Sequence, residues 1–156
     1  MASVTVSKLV QAPIADVWSS WDDFANIAKF NPNLNGSHLL QNSVATGVGA
    51  QRQCDLADGK NYIRERIIDY TTEKLIVVDI YEGTLPLKSA KATFTFWEAA
   101  AAKTEVNMTM EFTPKYGLFG RLMLPMMKPK FRSMLQALLD ANANYVERGE
   151  TIARAA

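Results

Sequence analysis

The chain holds one cysteine and one histidine in 156 residues. A single thiol, Cys54, excludes an internal disulfide, and no Cys/His cluster has metal-ligand spacing. No metal or cofactor is therefore expected. A charge excess of either sign is lacking too: 17 Lys and Arg against 16 Asp and Glu leave a formal net of +1. With basic residues scattered along the chain, this balance points away from nucleic acid. No apolar run approaches the length of a membrane span, which argues against stable membrane insertion. The opening Met-Ala-Ser-Val-Thr-Val lacks the basic and apolar regions of a secretion signal, so the cytoplasm is the expected compartment. What the chain does have is apolar mass. At 48% hydrophobic it reads as a single domain over residues 1–156, able to bury about 70% of the surface its unfolded chain exposes.

Periodicity places the elements. Phe131, Met134, Leu135, Leu138, Asn142 and Tyr145 recur at helical spacing over Phe131 to Arg148, with Pro129 expected at the start and Gly149 at the end. Ser3 to Val10 alternates as a first strand. Pro13 opens a short helix carrying Val17, Trp18 and Trp21, and Asp22 caps a second carrying Phe24, Ile27 and Ala28. Asn35-Gly36 reads as a turn before a strand from Ser37 to Gln41. Val48 to Leu56 and Asn61 to Tyr70 read as strands joined at Asp58-Gly59 by a two-residue type I′ hairpin. That register sets Cys54 opposite Ile63, Arg52 opposite Glu65 and Ala50 opposite Ile67 on one face, which the polar opposite face marks as the inner one. Lys74 to Glu82 is a strand with both faces partly apolar, Gly83 to Leu87 a loop, and Ala90 to Trp97 and Glu105 to Phe112 two strands around a turn in the alanine run Ala99 to Ala102.

The order is thus strand, two short helices, six strands and one long helix. Ala12-Pro13 with Val17-Trp18 and Asp23-Phe24, Gly47-Val48-Gly49-Ala50 with Arg52, Asp58-Gly59 before Glu65-Arg66, and the closing helix resemble the START-like, helix-grip superfamily. Within it the chain is most similar to the bacterial polyketide cyclase/dehydrase and lipid-transport group (SRPBCC). The resemblance spans nearly the whole chain. It implies an α+β fold in which a curved seven-stranded antiparallel sheet wraps around the long C-terminal helix, with two short helices after the first strand and a hydrophobic ligand held between sheet and helix. It also implies that the position of Glu65 faces that cavity. Some members are enzymes and many only bind, so fold does not settle activity.

Arg52 and Glu65 are the leading candidates, because charges on an inward face are costly unless they satisfy each other and a polar ligand group. They read either as a polar anchor for a ligand carbonyl or carboxylate, or as an ion pair that only sets the hairpin register. Asp79 would be a general acid if it lay inward near Glu65 and a solvated carboxylate if outward, the more apolar opposite face favouring the latter. His38 has no evident partner for catalysis, and Cys54 reads as a small buried hydrophobe. Gly47-Val48-Gly49 lacks the Lys-Ser/Thr of a phosphate loop. The apolar wall is expected from Ile63, Ile67, Phe94, Phe96, Met108, Met110, Phe131, Leu135 and Leu138, with Met123 and Met127 from the Met-rich segment Gly117 to Lys130. That segment suits a pliable pocket wall, ordinary core packing, or a lipid-touching surface rimmed by Arg121, Lys128, Lys130 and Arg132.

Three functions remain open on this reading. One is binding of a small or medium hydrophobic molecule with a polar group, for transport or sensing. A second is a cyclase or dehydratase using a pocket carboxylate or histidine, and a third is a lipid- or protein-interaction module. Expected partners reduce to a small hydrophobic molecule or lipid, and a homodimer stays open.

Overall fold

A computed structural model describes residues 1–152. Seven strands, β1 (Ala2–Val10), β2 (Leu34–Leu39), β3 (Gln51–Leu56), β4 (Tyr62–Thr71), β5 (Leu75–Gly83), β6 (Leu87–Ala100) and β7 (Lys103–Pro114), form one antiparallel sheet in the order β1-β7-β6-β5-β4-β3-β2, curled into a half-barrel. After β1 the chain crosses to the far edge through α1 (Ile14–Asp22) and a 3₁₀ helix (Phe24–Lys29), then meanders back until β7 lies beside β1. A six-residue helix α2 (Gly117–Leu122) leads into α3 (Leu124–Arg148), which packs chiefly against β1. Among the described residues no helix is long and apolar enough to cross a membrane.

The two-residue side-chain period builds the core. Ala90, Ala92, Phe94 and Phe96 of β6 and Val106, Met108, Met110 and Phe112 of β7 are buried between outward polar neighbours. On β5, Ile76 and Val78 are buried and Asp79 faces out, where its carboxylate lies 2.9 Å from Arg66. Val77 on the opposite face of β5 is buried as well, and β4 bulges between Ile67 and Asp69 where it pairs with this stretch. One end of the space between sheet and α3 is filled by α1. Trp18 meets Phe96 edge-on at 5.1 Å, and Trp21 meets Phe30 at 5.3 Å and Phe94 at 4.8 Å. The Trp21 indole donates to Asn142 of α3, whose own amide donates to Ser20, so the polar residue in the apolar helix stripe locks α1 to α3.

Several boundaries differ from the sequence expectation. The long helix starts at Leu124, seven residues before Phe131, because Pro125 rather than Pro129 occupies the first turn, where a missing N–H costs nothing. Pro129 lies inside the helix and forfeits one bond to the Pro125 carbonyl. The strand read from Ser37 to Gln41 runs over Leu34–Leu39 instead, and Asn35-Gly36 is a bulge in it rather than a turn before it. Strand β3 begins at Gln51, because residues 47–50 form a turn closed by the Ala50 N–H donating to the Gly47 carbonyl, with Val48 exposed in it. Ala99 and Ala100 extend β6, leaving Ala101 and Ala102 for the turn.

The hairpin register Cys54–Ile63 and Arg52–Glu65 is observed, but not the type I′ turn. The Ala57 N–H is taken by the Asn33 carbonyl at 2.8 Å, so Ala57 does not pair with Lys60, and the loop opens to the four residues 57–60, closed by the Leu56 N–H donating to the Asn61 carbonyl at 2.9 Å. Within it only Gly59 has positive φ, at 73°, whereas a type I′ turn needs two such residues. The Asp58 carboxylate instead accepts the N–H groups of Lys60 and Asn61, and these bonds hold its pKa below the usual carboxylate range.

Candidate functional site

Because α3 rests on β1 and is braced by α1, it does not close down over the middle of the sheet. A cavity of about 110 Å³ remains between β3–β7 and α3. It continues toward an outer hollow of about 430 Å³, with which it shares Asn33, Leu56, Leu85, Phe131 and Met134. The outer hollow falls within the roughly 300–1,000 Å³ usual for ligand pockets, and the inner cavity is smaller. A larger surface groove of about 830 Å³ between β1 and α3 lies outside the half-barrel and is lined mainly by polar side chains such as Thr5, Arg132 and Asp140.

Arg52 and Glu65, opposite each other on β3 and β4, form the polar part of the inner cavity. The Arg52 Nε donates to Glu65 Oε2 at 2.6 Å, its Nη1 donates to the Phe24 carbonyl at 2.9 Å, and its guanidinium stacks 3.8 Å from the centre of the Phe24 ring. The 3₁₀ helix therefore supplies both a carbonyl and a ring to hold a charge that the sheet alone would leave stranded. Burial works against the guanidinium, yet Glu65, with Cys54 beside it, more than offsets that penalty and raises the Arg52 pKa. The Cys54 Sγ lies 3.7 Å from Glu65 Oε2. Burial, reinforced by the negative charge of Glu65 and only partly countered by Arg52, pushes this thiol far above its ordinary value, so it is no nucleophile.

Arg52 thus spends at least two of its donor nitrogens within the protein. Glu65 spends one oxygen: among the described residues Oε1 accepts no hydrogen bond, and it is not sealed from the cavity. Glu65 Oε1 is thus one acceptor open toward the cavity.

The other expected residues divide by position. Ile63, Phe94, Met108, Met110, Phe131, Leu135 and Leu138 line the inner cavity with Arg52, Cys54 and Glu65, and Met127 lines the outer hollow. Ile67 is sealed in the core beside Val78, Phe96 is covered by Trp18, and Met123 lies partly exposed at the α2–α3 junction; these three are off the cavity wall. His38 pairs with Gln53 on the outer face and is exposed, so it cannot reach a ligand in the cavity. Asp79 is likewise on the outer face with Arg66, away from Glu65. Sequence reading missed Asn31, Asn33 and Leu34, which enter the wall because the 3₁₀ helix folds back under the sheet edge. Asn33 also staples the mouth, its amide donating to the Met134 carbonyl of α3 at 2.9 Å. Ala92 could have been found, since it alternates with Phe94. Among the described residues no three His, Cys, Asp or Glu side chains are grouped to hold a metal ion.

The raised thiol pKa has a measurable consequence. An unfolded cysteine ionises near pH 8.5 while folded Cys54 stays neutral, so this contribution to stability is complete below about pH 8.5 and is lost as pH rises above it. Urea unfolding between about pH 8.5 and 10 should lose stability faster in the wild type than in Cys54→Ala, by about 1.4 kcal/mol per pH unit.

No curated protein matches the chain by sequence. A sequence model of the polyketide cyclase/dehydrase and lipid transport family matches residues 1–147. The chain belongs to this family. Solved structures bear out its START-like fold: a START superfamily protein from Mycobacterium smegmatis is 19% identical with a TM-score of 0.78, covering 94% of this chain and 97% of that one. The Zhui aromatase/cyclase from a Streptomyces species is 17% identical with a TM-score of 0.80, covering 94% of each chain. A truncated norcoclaurine synthase from Thalictrum flavum is 18% identical with a TM-score of 0.72, again over 94% of each chain. At these identities the likeness is one of fold. Family and fold are consistent with hydrophobic ligand binding and with cyclase-type chemistry alike.

Proposed function

We propose that this polyketide cyclase/dehydrase and lipid transport family member binds a small or medium apolar molecule carrying a hydrogen-bond donor, such as a phenol or alcohol. The apolar part would occupy the space among Phe94, Met108, Met110, Phe131 and Leu135, and the donor would reach Glu65 Oε1. The observation that carries this reading is Glu65 Oε1, which faces a largely apolar cavity and accepts no hydrogen bond among the described residues. Arg52 then acts as a positioning residue, holding the carboxylate charged and aimed. Binding is favoured over catalysis because His38 and Asp79 lie on the outer face and the thiol of Cys54 is suppressed, leaving Glu65 without a second group to exchange protons with.

A pair of probes tests this reading: 4-propylphenol, which has a donor, and 4-propylanisole, in which a methyl group caps it. The phenol is expected to bind the wild type about tenfold more tightly by calorimetry, as one charge-assisted hydrogen bond implies. Glu65→Gln, which keeps an oxygen for Arg52, should erase most of that difference. Equal binding of the two probes to the wild type would remove Glu65 as the anchor, and no binding of either would overturn the ligand-binding reading.

A further inference from the structure

The segment after β7 turns its apolar side chains to water. Leu118, Phe119 and Leu122 of α2 are 73%, 65% and 71% exposed, and Tyr116 and Met126 on either side are 73% and 69% exposed. Scattered exposed apolar residues are ordinary, but five large ones within a single short stretch are not. Among the described residues nothing covers this face. The one buried residue of α2 is Gly120, where an added Cβ would lie 2.0 Å from the Lys115 carbonyl oxygen and 3.1 Å from Pro114. Backbone contact at this glycine pins α2 to the end of β7 and keeps its apolar side chains outside. Met123, between the helices, is itself in the right-handed helical region at φ −83° and ψ −11°. The four-residue spacing of Leu118, Leu122 and Met126 therefore carries from α2 into α3.

Charge identifies the occupant. Between Phe112 and Leu139 there are five basic residues, Lys115, Arg121, Lys128, Lys130 and Arg132, and no acidic one, in a chain whose net charge is only +1. All five are exposed, and among the described residues none is paired with a carboxylate. We propose that α2 and the first turns of α3 form a docking surface for an anionic lipid bilayer, with the apolar side chains entering the interface and the basic rim meeting the headgroups. A second copy of this chain fits less well, because an isologous contact would set the basic rim against itself. Met127, Lys130 and Phe131 also line the outer hollow, so docking brings the cavity mouth to the lipid surface. That last consequence rests on the ligand-binding reading; the docking itself does not.

The test is sedimentation of the purified protein with vesicles of phosphatidylglycerol and phosphatidylcholine, against vesicles of phosphatidylcholine alone. Binding is expected to the anionic vesicles only, and to fall as salt is raised. Phe119→Asp with Leu122→Asp, and separately Lys128→Glu with Lys130→Glu, should each weaken it about tenfold or more while thermal melts stay cooperative. Equal binding to neutral vesicles, or indifference to both pairs of substitutions, would overturn the proposal. So would absence of vesicle binding, including the case in which the protein dimerises through this face and Phe119→Asp abolishes the dimer. Binding of 4-propylphenol to the wild type, and to Phe119→Asp/Leu122→Asp, is measured alongside. If it persists while vesicle binding of the wild type is absent, docking alone fails; if vesicles bind and the probe does not, the ligand-binding reading alone fails.

Discussion

Glu65→Ala is expected to destabilise the protein by about 3–5 kcal/mol in urea unfolding, a large share of a domain's total stability. The side chains of Arg52 and Glu65 are only 5% and 10% exposed, and removing the carboxylate leaves a buried guanidinium with the Phe24 carbonyl and ring as its remaining support. The same chemistry on the outer face predicts little. Asp79→Ala breaks a 2.9 Å contact with Arg66, yet both partners are in reach of water, and the cost should be about 0–1 kcal/mol. Replacing both buried partners, Arg52→Met with Glu65→Leu, should restore the stability lost in Glu65→Ala and can exceed the wild type by about 1–4 kcal/mol. If the double variant is as stable as the wild type but no longer distinguishes 4-propylphenol from 4-propylanisole, the charges serve the ligand and not the fold. A Glu65→Ala variant as stable as the wild type would show that water reaches Arg52 freely and that the cavity is wider than described.

Leu139→Ala and Leu138→Ala form the second comparison. Both leucines are buried on α3, at 1% and 4% exposure, but Leu139 is packed on all sides while Leu138 borders the cavity. Truncating a buried leucine costs about 2–5 kcal/mol, rising with the void it leaves and the contacts it forfeits. Leu139→Ala should fall near the upper end. Leu138 already lacks partner atoms on one side, so its truncation should fall near the lower end and enlarge a void that an apolar ligand can fill. Chemical denaturation of the two variants, with and without 4-propylphenol, checks both points. The probe should recover part of the loss in Leu138→Ala and none of the additional loss in Leu139→Ala. Equal costs would mean that the helix closes onto the sheet in solution.

Much of this was legible in the chain. The two-residue period of β6 and β7 requires one dry face and one wet face whatever the rest of the fold does, and the register of the β3–β4 hairpin alone sets Arg52 against Glu65. The turn between β3 and β4 was misread because it depends on a distant group: the Asn33 carbonyl captures the Ala57 N–H, and nothing near Asp58-Gly59 signals that. The start of α3 was misread because two prolines four residues apart can each mark a first turn, and only packing chooses between them. Ile67 and Phe96 carried the right pattern for the wall, but an inward side chain can meet either the cavity or another side chain. Trp18 decides the matter for Phe96. Likewise, an overall charge count near zero concealed the acid-free stretch around α2, which gains meaning only where the apolar side chains beside it are exposed.

The segment before the long helix was open to three roles in sequence, and the structure divides it among them by residue. Met127 turns to the cavity mouth, while Leu118, Phe119, Leu122 and Met126 face water. Sequence by itself determined the run of seven strands along the chain, the inward faces of β3, β4, β6 and β7 and the pairing of Arg52 with Glu65, because side-chain period and hairpin register are local and obey short-range geometry. The tertiary structure alone decided that the pair meets a cavity and not a packed helix, because that depends on where α1 and Asn142 brace α3 against the sheet. It also decided how the buried guanidinium is held. Arg52 is turned toward Glu65 and the Phe24 carbonyl, a residue 28 positions away that the crossing chain brings beneath it, and the acceptor left over is Glu65 Oε1.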